Sequence, residues 1–147
     1  MWTVIKFDKK KLSCLKNDLV KKFNSQTNIY CPKILIEQFK NNKLVKKELN
    51  LLGDYIFCYN EEFSDNFNLD KIKYLKGVKL LLDGFKKSQS EIDIFIKKCK
   101  EMENSDGYIT QGAFEVKIDQ SYKFSSGPFT QKIFKIISLQ KNKLKIL

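Results

Sequence analysis

The chain contains no arginine and no histidine; all 28 of its basic residues are lysine. Without arginine there is no planar guanidinium to read guanine bidentately, so any base-specific contact must come from Lys, Asn, Gln or Ser. Without histidine the usual general base near neutral pH and the commonest zinc ligand are both missing. Cys14, Cys31, Cys58 and Cys99 stand 17, 27 and 41 residues apart with no CxxC pair, a pattern of reduced, buried thiols in a cytosolic protein rather than of a metal site or disulfide framework. No apolar run approaches the ~18 residues that cross a bilayer, and the start lacks a signal-peptide pattern. The expectation is a cytoplasmic protein with no membrane partner. No phosphate-cradling glycine loop and no nucleophile-and-base constellation is present, and the Glu61, Glu62, Asp65 cluster reads as a solvated loop. The chain is therefore expected not to be an enzyme, and to need no cofactor and no metal.

What is present is enough for one ordinary domain or two small ones: 147 residues, 42% hydrophobic and 31% charged. The formal charge of +11 is uneven. Residues 1–50 hold 12 Lys against 4 acids, residues 51–103 hold 9 against 10, and residues 104–147 hold 7 against 3. The positive potential thus gathers at the amino-terminal end. It reads equally as solubility with a compositional bias towards Lys, Asn and Ile, or as the footprint of a polyanion.

Local patterns divide the chain into elements. Trp2 to Phe7 is β-branched and aromatic and predicts a strand. Asp8 caps a helix through Phe23, with Leu12, Leu15, Leu19 and Phe23 on one face and a basic opposite face. Ile29 to Phe39 is extended but interrupted by Pro32; Lys40 to Lys43 is a turn, and Leu44 to Leu49 returns as a hairpin arm. Leu51 to Asn60, nearly free of charge, predicts a central strand. Alternation puts Tyr55, Phe57 and Tyr59 on one side and Ile56 and Cys58 on the other, so the aromatic row is available to a partner while Ile56 and Cys58 enter the core. A short helical turn around Leu69 to Leu75, a bend at Lys76 and Gly77, a strand from Val78 to Leu82 and a helix opened by Ser90 follow. Residues 1–103 then form an α+β domain with both helices on one face of a mainly antiparallel sheet. Residues 104–113 read as a linker. Residues 114–147 alternate like short strands, including Lys132 to Leu139 and Leu144 to Leu147, and predict a small β-barrel that is short of a strand or trimmed.

These parts resemble the NusG/RfaH family of transcription elongation and antitermination factors over essentially the whole chain. The likeness rests on the Trp-led first strand (Trp2), on Gly53, Asp54, Tyr55, Ile56 and Phe57 in place of the family's Pro-Gly-Tyr-x-Phe strand, on the Gly-Val bend at Gly77 and Val78, and on a KOW-type turn at Gly127, Pro128 and Phe129. The resemblance implies a ferredoxin-like NGN domain that docks on the clamp helices of RNA polymerase, followed by an SH3-like KOW barrel. Trp2, Tyr55 and Phe57 would receive the polymerase helices, and Asn68, Leu69 and Asp70 would make the contact across the cleft. Lys10, Lys16 and Lys76 would lie near the non-template DNA strand. Gly127, Pro128 and Phe129 would help the barrel recruit ribosomal protein or Rho. Gly53 and Asp54, which replace the usual Pro and Gly, and Lys76, which stands where many relatives have Arg, fit a divergent paralogue. Some members of the family convert the barrel to a helical hairpin that masks the aromatic face; Gly127 and Pro128 disfavour an unbroken helix through that point. A different reading of the same residues is an RNA-binding or ribosome-associated module whose sheet aromatics stack bases.

Overall fold

The computed structural model describes residues 1–23, 26–110 and 128–146. In chain order the elements are β1 (Trp2–Phe7), α1 (Leu12–Phe23), β2 (Asn28–Tyr30), β3 (Lys33–Lys40), β4 (Lys43–Asn50), β5 (Tyr55–Tyr59), α2 (Asn66–Lys73), β6 (Val78–Leu81), α3 (Gln89–Glu101) and α4 (Pro128–Ile146). The architecture is α+β with antiparallel sheets. Two compact units divide it: Met1–Cys31 with Asp54–Gln89, and Pro32–Gly53 with Ser90–Leu147. The β3–β4 hairpin and α3 from Ser90 onwards group with the carboxy-terminal residues.

The first unit is built on a four-stranded sheet of order β2–β5–β1–β6. Every pairing is antiparallel, with Thr3 opposite Cys58, Val4 opposite Phe57 and Ile5 opposite Ile56, and with Tyr30 opposite Phe57. The ladder to β6 carries an irregularity between Lys6 and Phe7. One face of the sheet presents Ile5, Ile56 and Cys58, all without exposed surface. Thr3 is buried among them and satisfies its hydroxyl by donating to the Cys58 carbonyl at 3.1 Å. The aspartates set the helix starts. Asp8 accepts from the Lys10 N–H at 3.1 Å before the 3-10 turn that leads into α1, and Asp65 accepts from the Phe67 N–H at 3.0 Å at the start of α2. Leu15, Leu19 and Phe23 form the buried stripe of α1, and Phe23 meets Phe63 edge-on at 5.2 Å. Asn60 is buried and fully bonded: its amide donates to the Phe23 carbonyl at 2.8 Å and its side-chain oxygen accepts from the Glu62 N–H at 2.9 Å.

At the start of β1 a side chain takes the place of a strand. The ladder to β6 reaches no further back than Val4, whose carbonyl accepts from the Leu82 N–H at 2.8 Å. Beyond it, Gln89 accepts from the Trp2 N–H at 2.8 Å and donates to the Trp2 carbonyl, also at 2.8 Å, while donating again to the Phe85 carbonyl.

In the second unit β3 and β4 pair from Lys33 opposite Asn50 out to Lys40 opposite Lys43. Asn41 and Asn42 both take positive φ, 52° and 61°. Two such residues make the type I′ turn whose twist matches the flanking strands. The Leu51 N–H donates to the Pro32 carbonyl at 2.8 Å and closes the base. The buried face of α3 carries Ile92, Phe95, Ile96 and Cys99, and Phe95 meets Phe134 of α4 edge-on at 6.5 Å.

Several expectations are corrected. Leu51 to Asp54 is a turn in which Gly53 takes φ 62°, and β5 begins only at Tyr55. Ser90 does not cap α3; a 3-10 turn at Phe85–Ser88 runs straight into it and starts the helix earlier. The linker over residues 104–113 is anchored where it is described: Ile109 is fully buried, bridges Ile34 and Glu103, and donates to the Lys33 carbonyl at 2.8 Å. Residues 128–146 are one helix where strands at Lys132 to Leu139 and from Leu144 were expected. The run fits either period, but among the side chains described Phe129, Ile133 and Ile137 are buried, and their four-residue spacing is helical. Pro128 is the first residue of that helix, where a missing N–H costs no hydrogen bond. The rest of the expected barrel, including Gly127, lies outside the described residues.

Candidate functional site

The sheet face opposite Ile5 and Ile56 is aromatic. Pairing across β1, β5 and β2 brings Trp2, Tyr30, Phe57 and Tyr59 into one cluster. Trp2 stands edge-on to Phe57 at 6.3 Å and to Tyr59 at 5.3 Å, and Tyr30 stacks on Phe57 at 6.4 Å. Tyr55, directly opposite Lys6, carries the Lys6 ammonium 5.5 Å from its ring centre, a geometry for a weak cation–π attraction. The cluster was expected to be open. Instead Phe57 has 0% of its surface exposed and Trp2 is buried, while Tyr55, Tyr59 and Tyr30 are half-buried. Of the predicted polymerase-contacting residues, then, Trp2 and Phe57 are in contact and Tyr55 shares their face beside Lys6, with Phe57 as the packed centre and the half-buried tyrosines as its rim.

Asn68, Leu69 and Asp70 lie on α2. Leu69 is buried. Asn68 donates to the Glu62 carbonyl at 3.1 Å and accepts from the Lys71 ammonium at 3.2 Å, and exposed Asp70 holds Lys73 at 3.0 Å. Leu69 and Asp70 line an open groove of about 630 Å³ shared with Leu80, Asp83 and Lys86; Lys86 is hydrogen-bonded to Asn66. Two aromatics of the same helical segment face solvent: Phe67, under the Lys71 ammonium at 4.3 Å, and Tyr74, 88% exposed.

Lys10 and Lys76 are brought to one end of the unit. The Asp8 N–H donates to the Gly77 carbonyl at 2.8 Å, and Gly77, at φ 98°, lies so close to α1 that a Cβ there would stand 3.0 Å from the Lys11 Cβ. Lys10 and Lys76 are exposed; Lys16, farther along α1, is half-buried. Of the barrel turn, Phe129 is buried in α4.

Among the described residues, two thiols and one phenol have a shifted ionisation. Burial pushes the Cys58 thiol up to about 12. Burial, reinforced by the charge of Glu103, also pushes the Cys99 thiol up. Both are thereby held protonated and unreactive. Tyr108 donates to Glu48 at 2.7 Å, and this bond, with the carboxylate charge, raises its phenol, while Lys33, 2.7 Å from Glu48, works in the other direction. Among the described residues no cluster of carboxylates and thiols could hold a metal ion, and no helix is long and apolar enough to cross a membrane.

Sequence reasoning missed Tyr30 and Gln89. Tyr30 was hidden by Pro32 two residues on, which drew attention to the break rather than to the strand before it; Gln89 acts through a contact 87 residues away in the chain that no local pattern marks. No protein-family profile matches the chain, and no match is found among curated proteins.

Proposed function

We propose that this chain is a transcription elongation and antitermination factor of the NusG/RfaH kind, with no chemistry of its own, that docks on the clamp helices of RNA polymerase through the aromatic sheet face. The observation that carries the reading is the Trp-led β1 paired in register with Tyr55, Ile56 and Phe57, with the tyrosine rim around Phe57 on one face of a four-stranded antiparallel sheet. The order strand, helix, strand, hairpin, strand, helix, strand, helix supports an NGN, ferredoxin-like domain. The basic end formed by Lys10 and Lys76 supports a non-template DNA strand lying there, with Lys16 along the same helix. Helix α4 stands where the resemblance implies part of a KOW barrel; the partner of that segment, ribosomal protein or Rho, is read only from the resemblance.

Because Phe57 has no exposed surface, the tyrosine rim would make the contact, and Phe57→Ala would cost ~3–5 kcal/mol of stability by cavity formation alone. Tyr55 is the better probe. Intact protein used as bait in cell extract should retain RNA polymerase subunits, and Tyr55→Ala should weaken that capture by about tenfold with the fold intact, as expected for a single aromatic anchor. Retention of ribosomal proteins and no polymerase, lost steeply as salt is raised, would instead favour the RNA-binding reading.

A further inference from the structure

We infer that the tip of the β3–β4 hairpin is a contact arm for single-stranded nucleic acid, with Phe39 as the base-stacking platform and Lys40, Lys43 and Lys47 on the phosphates. The register separates the two kinds of group. Phe39 lies directly opposite Leu44 on one face, and Lys40 lies opposite Lys43 on the other, which also carries Lys47 opposite Ile36. Phe39 is 79% exposed and Leu44 50%. A phenylalanine this open has no packing to account for it at the end of an arm. Two lysines directly opposite each other on one strand pair repel, which destabilises the hairpin unless a polyanion joins them.

The acids stop short of the tip. Glu48 is held by Lys33 and Tyr108 near the base, and Glu37 pairs with Lys46 at 3.7 Å. From Gln38 to Val45 there is no acidic residue, and among the described residues no ion pair engages Lys40, Lys43 or Lys47. The type I′ turn at Asn41 and Asn42 keeps the strands paired to the end, so the aromatic and cationic groups are presented on a defined scaffold rather than a slack loop. An exposed ring stacks only on a base that is free of its duplex, which selects a single strand; and because the lysines contact phosphates, binding tolerates many sequences. None of this depends on polymerase docking, and Lys10 and Lys76 belong to the other unit.

The test uses the full chain and a fluorescent single-stranded oligothymidylate, read by anisotropy between low and moderate salt, with circular dichroism to confirm folding of each variant. Phe39→Ala is expected to weaken binding between about 5- and 150-fold, the equivalent of losing one stacked base, and Phe39→Trp to restore it. Combined Lys40→Ser, Lys43→Ser and Lys47→Ser should lower the slope of log affinity against log salt by about 2, at ~0.7 per phosphate contact. Absence of binding by the intact chain at low salt overturns the inference. So does binding that tip variants leave within twofold while Lys10→Ser with Lys76→Ser abolishes it, or Phe39-dependent capture by anionic lipid vesicles without capture of the oligonucleotide. Loss at the tip with polymerase capture unchanged supports the arm and leaves the docking reading to its own test.

Discussion

Replacing Gln89 by leucine isolates a single side chain that does the work of a missing strand. In the native protein it saturates the Trp2 N–H, the Trp2 carbonyl and the Phe85 carbonyl, each at 2.8 Å. Leucine is close in volume and keeps the helix propensity, so the substitution removes hydrogen bonding and little else. A buried group left without a partner costs ~1–3 kcal/mol. These three groups are only partly buried, so water recovers some of that, and a net loss of about 2–4 kcal/mol is expected. In a chain of this size that corresponds to a fall in melting temperature of roughly 4–16 °C. The assay has a built-in reporter, since Trp2 is the sole tryptophan. Urea unfolding followed by its fluorescence and by far-UV circular dichroism should show coincident transitions displaced to lower urea, and amide exchange at Trp2 should accelerate more than at Val4. Gln89→Glu keeps the acceptor for the Trp2 N–H but aims a carboxylate at two carbonyls, so it should be at least as destabilising at neutral pH and partly recover in acid, where the protonated carboxyl donates again. A leucine variant within 0.5 kcal/mol of the parent would show that water, not Gln89, satisfies this end of β1, and would refute the reasoning.

Thiol chemistry should sort by depth: of the four cysteines, exposed Cys14 should react first with a disulfide reagent and half-buried Cys31 more slowly, with Cys58 and Cys99 modified only on unfolding, as peptide mapping would show. The raised thiols also set an alkaline limit. The folded state prefers the protonated form, so their contribution is complete below the ordinary thiol value and declines as pH rises above it, by up to ~1.4 kcal/mol per pH unit for each thiol; Cys58→Ser should shallow the loss of stability between pH 9 and 11 even though it lowers stability at pH 7. Gly77→Ala should destabilise by more than ~1 kcal/mol in thermal melts, because φ 98° is strained for alanine and its methyl would meet Lys11. In a spectrophotometric titration Tyr108 should ionise above the ordinary tyrosine range, and Glu48→Gln should bring it down, since both the charge and the carboxylate acceptor are removed.

Parts of both units were legible because their elements announce themselves locally. The β-branched run before Asp8, the stripe of Leu15, Leu19 and Phe23, and the KNNK turn each follow from a single period or cap, and the strands and helix stand where those signals put them. Two failures have different causes. The apolar run from Phe129 onwards satisfies both a two-residue and a four-residue period, and in such a case only length and tertiary packing decide; here they decide for a helix. Phe57 was assigned correctly to the aromatic side of its strand, but alternation specifies a face and says nothing of what lies on it. The site suffered the same limit. Tyr55 and Phe57 could be placed on one face by alternation and Trp2 only through the resemblance, whereas the closure of β1 by Gln89 joins residues with no common pattern, and the left-handed pair Asn41–Asn42 shows only in the backbone.

The bond from Leu51 to the Pro32 carbonyl has a consequence for how the chain tolerates change in length. β2 and β5 are neighbours in their sheet, and the residues between them leave and return through a base closed at that bond. Residues added as matched pairs on either side of Asn41 and Asn42 extend the ladder without altering the register of any other strand pair. Lengthening a loop is itself inexpensive, since closure entropy grows only as the logarithm of its size. The hairpin is thus the part of this protein where reach can be adjusted by insertion or deletion, by selection or by design, with the four-stranded sheet left unchanged.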